Sequence, residues 1–102
     1  MAKFVYVYTG GQMAETPEAQ EQAMQAWGAW FGTIGGAVTD MGNPFGASVT
    51  VSSSGTSDGG SSKAGGYSIV EADSLQDAAA KTKGCPVLDG GGTVEVYEAI
   101  PM

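Results

Sequence analysis

The sequence predicts an α+β domain: one antiparallel sheet with two helices on one of its faces. Three observations predict it. Short segments of alternating apolar residues recur at 3–9, 45–52, 67–72 and 93–100. Two helix starts stand between them, at Thr16-Pro17 and Asp73-Ser74. Gly or Pro clusters separate the elements. At 102 residues the chain is expected to form a single domain over 1–102.

Residues 3–9 alternate Phe4, Tyr6 and Tyr8 against Val5, Val7 and Thr9. Both sets are largely apolar or aromatic, as in a strand covered on both faces. Gly10-Gly11 ends it. Thr16 supplies a hydroxyl cap, Pro17 the first helical position, and Glu18 an acid in the first turn. Met24, Trp27, Phe31, Ile34 and Val38 then form one helical stripe, widened by Ala23 and Trp30, so a helix is expected up to Met41-Gly42-Asn43-Pro44. Glu15, Glu18 and Glu21 suggest a solvated outer side. Internal glycines cost roughly 1 kcal/mol each relative to alanine. Two explanations fit their spacing. Gly28, Gly32 and Gly36 form a flat strip for close backbone approach, or the helix breaks near Gly35-Gly36.

Residues 45–52 read as the second strand of the sheet. Residues 53–66 hold ten Gly or Ser in fourteen and are expected to be a flexible loop. Residues 67–72 form the next strand. Ser74 and Asp77 match a capping box with Asp in place of Glu, opening a second helix that Gly84 and Pro86 close. Gly90-Gly91-Gly92 turns the chain into the last strand, 93–100. The order is βαββαβ, which gives a ferredoxin-like protomer with a four-stranded antiparallel sheet. The other sheet face carries apolar residues whichever way the first strand points. A second copy is the simplest cover, so a homodimer is expected.

Composition removes several functional classes. The chain has no histidine and no arginine, and eleven acids against four lysines give a net charge of −7. Imidazole catalysis and histidine metal sites are thereby absent, and nucleic acid is not an expected partner. Five aspartates and six glutamates show no calcium-loop spacing, and the glycine clusters match no phosphate-binding motif, so neither metal nor cofactor is expected. The uncharged run 22–39 contains Gln, Thr and Gly and reads as a helix of a soluble protein, with no membrane partner. No signal peptide is apparent at the N-terminus, and Cys85 has no partner for an intrachain disulfide; both suggest the cytoplasm. Cys85 also lacks a base and reads as a packing residue.

The chain resembles the YCII-related (DGPF-type) proteins of the dimeric α+β barrel superfamily. The likeness lies in Phe4-Val5-Tyr6-Val7-Tyr8 with Gly10-Gly11, and in Ala26-Trp27-Gly28-Ala29-Trp30-Phe31. It continues through Gly42-Asn43-Pro44, Gly66-Tyr67-Ser68-Ile69-Val70-Glu71-Ala72, Lys83-Gly84-Cys85-Pro86-Val87-Leu88 and Gly91-Gly92-Thr93-Val94-Glu95-Val96-Tyr97-Glu98. The resemblance implies a dimeric α+β barrel, in which two sheets pack together and enclose a cavity. Relatives often read Tyr-His-Gly-Gly where this chain has Tyr8-Thr9-Gly10-Gly11, so a base that relatives keep is replaced here by Thr9.

The candidate ligand-binding residues are Tyr6, Tyr8, Thr9, Trp27, Phe31 and Tyr97, with Asp40 as candidate catalytic residue. The tyrosines either orient a ligand by their hydroxyls or serve as interface aromatics. Asp40, expected at the end of the long helix, is either a general base raised by the helix dipole or a solvated turn residue. Glu71, Glu95 and Glu98 in strands are either functional, or at an edge or rim that reaches water, or paired with Lys3, Lys81 or Lys83. The expected function is a homodimer with a cavity for a small apolar or aromatic molecule. The alternative is a lyase or isomerase using carboxylate and tyrosine acid–base groups.

Overall fold

The computed structural model describes residues 2–10, 16–60 and 63–101. Gly11, Glu15, Ser61 and Ser62, which entered the sequence reading, lie outside them.

The alternation at the start of the chain becomes β1 (Ala2–Thr9), which is central in the sheet. Its buried residues are Phe4, Tyr6 and Tyr8, so these point to the helices, and Val5, Val7 and Thr9 point to the opposite face. Thr16 accepts a hydrogen bond from the Ala19 N–H at 3.1 Å and opens α1 (Pro17–Ile34). Of the expected stripe, Trp27, Phe31 and Ile34 pack on the core around buried Trp30, whereas Met24 is exposed.

The helix does not reach Val38. Gly35 takes φ +50° and its N–H closes on the Phe31 carbonyl, ending α1 in a conformation that favours glycine. One 3-10 turn, Gly35–Ala37, leads into the short edge strand β2 (Val38–Asp40). The break near Gly35-Gly36 is therefore the arrangement adopted. Among the described residues, no other part of the chain lies within 4 Å of a Cβ placed at Gly28, Gly32 or Gly36.

The expected second strand also changes place. Residues 49–52 form β3 (Val49–Ser52), which pairs with β4 (Gly55–Asp58) in a separate two-stranded sheet. Part of the expected loop is thus β4, and its end begins β5 (Ala64–Ala72). The four-stranded sheet is antiparallel, in the order β2-β5-β1-β6. Its order and connections are compatible with a ferredoxin-like fold.

Ser74 Oγ accepts from the Asp77 N–H at 3.0 Å and opens α2 (Leu75–Ala80). Asp77 Oδ2 reaches back to the Asp73 N–H at 3.2 Å, one residue before the cap. Gly84, at φ +83°, turns the chain but does not cap the helix as expected, because α2 already ends at Ala80 with Lys81 as its cap. Pro86 does not merely stop a helix; it begins a further turn, α3 (Pro86–Asp89), because proline suits a first helical position. The last strand is β6 (Thr93–Ala99).

The core lies between the sheet and the helices. It joins Phe4, Tyr6, Tyr8, Val70 and Ala72 to Trp30, Ala78, Cys85 and Val87. Among the described residues every buried polar side-chain atom has a hydrogen-bond partner. Tyr6 donates to the Ala78 carbonyl and Trp30 Nε1 to the Lys81 carbonyl at 3.1 Å, tying the strand and α1 to α2 and its exit. Tyr8 donates to Ser68 Oγ at 2.8 Å, and Ser68 donates to the Met41 carbonyl at 2.7 Å.

Candidate functional site

The expected site residues fall into two groups, with Asp40 apart from both. The first is an aromatic cluster beneath α1. Tyr8 meets Trp27 edge-on at 4.8 Å between ring centres, Trp30 meets Phe31 at 4.9 Å, and Tyr6 meets Trp30 at 6.1 Å. The structure therefore brings together Tyr6, Tyr8, Trp27 and Phe31. Both tyrosine hydroxyls are engaged within the protein, by the Ala78 carbonyl and by Ser68. Burial pushes the Tyr6 phenol up to about 12 and the Tyr8 phenol higher still, so both stay protonated. Cys85 beside them is pushed up by burial to about 11, which keeps it an unreactive thiol near neutral pH.

The second group lies across the sheet, on the face that no described helix covers. Val5 and Val7 of β1 stand beside Ile69 and Tyr67 of β5, and beside Tyr97 and Glu95 of β6. Val5, Val7, Ile69 and Tyr67 are half-buried, and Tyr97 is 53% exposed. Phe45 stacks on Tyr67 at 5.8 Å. At the end of the face where β1 stops, Thr9 and Thr93 share a hydrogen bond of 2.6 Å between their hydroxyls. Tyr97 donates to Glu95 Oε1 at 3.2 Å. The Glu95 charge, reinforced by that hydrogen bond, raises the Tyr97 phenol and holds it protonated.

Thr93, Glu95 and Tyr97 are alternate residues of one strand, so they line one face at steps of about 7 Å. With Thr9 they present a carboxylate acceptor, a phenol donor and two aliphatic hydroxyls beside an apolar centre. Such a set can orient a hydroxyl or carbonyl of a small molecule whose apolar part rests on Val5 and Val7. Sequence reasoning singled out Thr9 and Tyr97 here but missed Thr93. Its signal was its parity with Tyr97; only the β1–β6 register sets it beside Thr9.

Asp40 belongs to neither group. It ends β2 opposite Ile69, and its Oδ1 accepts from the Gly42 N–H at 2.8 Å, so it shapes the exposed turn after the strand. The helix-dipole argument for Asp40 does not hold, because α1 ends at Ile34. Of the glutamates, Glu71 is half-buried opposite Lys3 on the open face, and Glu95 and Glu98 are exposed.

An open groove of about 690 Å³ lies between 45–48 and 58–60 at the base of the β3–β4 hairpin, with Lys63 at its margin. Among the described residues, no three acidic or cysteine side chains gather as a metal site would require. No described helix is long and apolar enough to cross a membrane. Comparison with protein-family models, with curated proteins and with solved structures found no match.

Proposed function

We propose that this protein is a homodimer that binds a small, mostly apolar or aromatic molecule between two facing sheets. In this reading it is a ferredoxin-like protomer of a YCII-related dimeric α+β barrel, working in the cytoplasm. The observation that carries it is the open sheet face, with Val5, Val7 and Ile69 at its centre and no described helix over them. A neighbouring row of Val and Ile facing water is unfavourable by about 25 cal/mol per Å² of apolar area. A second sheet removes that cost and leaves Thr9, Thr93, Glu95 and Tyr97 as a polar border along the β6 side of the enclosed space.

The Glu95–Tyr97 pair favours one further reading of the same site, an isomerase or lyase. Glu95 would take a proton from carbon next to a carbonyl, and Tyr97 would donate a hydrogen bond to the resulting oxyanion. Histidine is not needed for that step, and none is present.

A thermal-shift screen with small lactones, quinones and ketones tests the binding site. At one hundred times Kd a ligand adds about 2.7 kcal/mol, which moves the Tm of a domain of this size by more than about 10 °C. At least one compound is expected to raise Tm in this way, and Tyr97→Phe and Glu95→Gln are expected to reduce the shift. Absence of any shift across the panel, or an equal shift in both variants, would contradict the site. Turnover lost in Glu95→Gln while binding persists would select the isomerase or lyase reading over simple binding.

A further inference from the structure

Among the residues of β1, β5 and β6 that point to the open sheet face, Lys3, Glu71 and Glu95 are charged, and the register sorts them. Lys3 stands directly opposite Glu71, so these two charges offset each other at one end of the face. Glu95 stands beside Val7, four residues along β1 from Lys3, or about 14 Å away at 3.4 Å per residue. The other lysines lie elsewhere. Lys81 is paired with Asp77 at 3.1 Å, and Lys83 follows it in the turn after α2, on the helix side of the sheet. Lys63 lies at the margin of the hairpin groove, just before β5, which is two strands away from β6. Glu95 therefore has no counter-charge among the described residues. Its Oε1 accepts from Tyr97, and its Oε2 has no partner among them.

In a single copy this carboxylate is exposed and hydrated. Under a second sheet it would lose water, which is costly unless a cation joins it. A two-fold arrangement brings a second Glu95 to the same enclosed space and adds to that demand. The net charge of −7 acts in the same direction, concentrating cations at the protein and repelling anions.

We propose that the ligand of this face is an organic cation, an ammonium group on an aromatic or apolar body, with the ammonium held by Glu95. The proposal rests on the binding reading above and not on the lyase alternative, because a Glu95 that holds an ammonium is not free to take a proton. Tyr97, whose hydroxyl already binds Glu95, adds a ring of the kind that attracts ammonium groups. Val7 separates Glu95 from Tyr67, and strands about 4.8 Å apart put their backbones about 10 Å from each other. An ammonium at Glu95 thus leaves its apolar body over Val5 and Val7, on the side where Phe45 stacks on Tyr67. An anion of the same shape would meet Glu95 and is rejected.

Isothermal titration calorimetry on the full chain at neutral pH tests this with phenethylamine and tryptamine, each beside the alcohol and the carboxylic acid of similar length. At least one amine is expected to bind about 10-fold or more tightly than either counterpart. Glu95→Gln is expected to erase that advantage, with circular dichroism unchanged because Glu95 is exposed on an edge strand. Raising salt from about 20 mM to about 500 mM is expected to weaken the amine and not its alcohol. If an alcohol or acid binds as tightly as its amine, or the amine keeps its advantage in Glu95→Gln, the cation is overturned and the binding reading stands. The same holds if no amine binds while a lactone, quinone or ketone does. If no compound of any class binds up to about 10 mM, the binding reading fails and the cation with it. If Glu95→Gln loses its fold, the salt series on wild type decides by the same comparison of amine with alcohol.

Discussion

Ser68 shows how much a single residue can carry without being visible in the sequence. It sits in a run of apolar strand residues and is fully buried, where it accepts from Tyr8 and donates to the Met41 carbonyl. Its hydroxyl thus links β5, β1 and the chain after β2. Ser68→Ala would leave the Tyr8 hydroxyl buried without an acceptor and is expected to destabilise the fold by about 1–3 kcal/mol. Urea unfolding checks this, and a loss below about 0.5 kcal/mol would contradict the relay. Gly42 is a second such position. It holds φ +73°, and a Cβ there would come within 1.7 Å of the Tyr67 carbonyl oxygen. The sequence marked it as a turn glycine without indicating the strand it presses against. Asp40 was legible as a polar residue near a turn. Its electrostatic setting was not, because that setting depended on where α1 stops.

Elements whose signals are local were readable. Thr16-Pro17-Glu18 and Ser74 open helices because capping is decided within a few residues. Ser74→Ala is expected to cost about 1 kcal/mol, which lowers Tm by roughly 4–8 °C in a domain of this size. A differential scanning calorimetry trace unchanged within about 1 °C would show that the Ser74 hydroxyl does not hold α2. Elements defined by distant partners were not readable. Residues 38–40 continue the helical stripe in sequence, yet Val38 pairs with Val70 as an edge strand. Three residues with a bulge offer too little alternation to be recognised. Residues 49–52 alternate just as a sheet strand does, but alternation reports which residues share a face and not which strand lies alongside. Ser53 and Ser54 make the tight connection that returns the chain into β4, and the Gly/Ser composition hid that strand.

At the scale of the molecule, the strand order places β1 and β5 at the centre of the sheet, with β2 and β6 at its edges. The composition of β1 announced that both faces need cover. The choice between its two sets of side chains came from size: Phe4, Tyr6 and Tyr8 fill the space under Trp30, and the smaller Val5 and Val7 are left for the open face. The candidate site then divides. Tyr6, Tyr8, Trp27 and Phe31 form core packing on one side, while Thr9 and Tyr97 meet Thr93 and Glu95 on the other. Only the second group has polar ends free of the core. Its use as a binding site depends on a lid, which a second copy would provide.

The molar mass in solution tests that dependence most directly, measured by light scattering at micromolar concentration on wild type and on Val7→Asp. The account predicts twice the 10.3 kDa chain mass for wild type. It predicts 10.3 kDa for the variant, whose carboxylate would stand at the centre of the buried face. A wild-type mass of 10.3 kDa, or a Val7→Asp protein that remains dimeric, would contradict it.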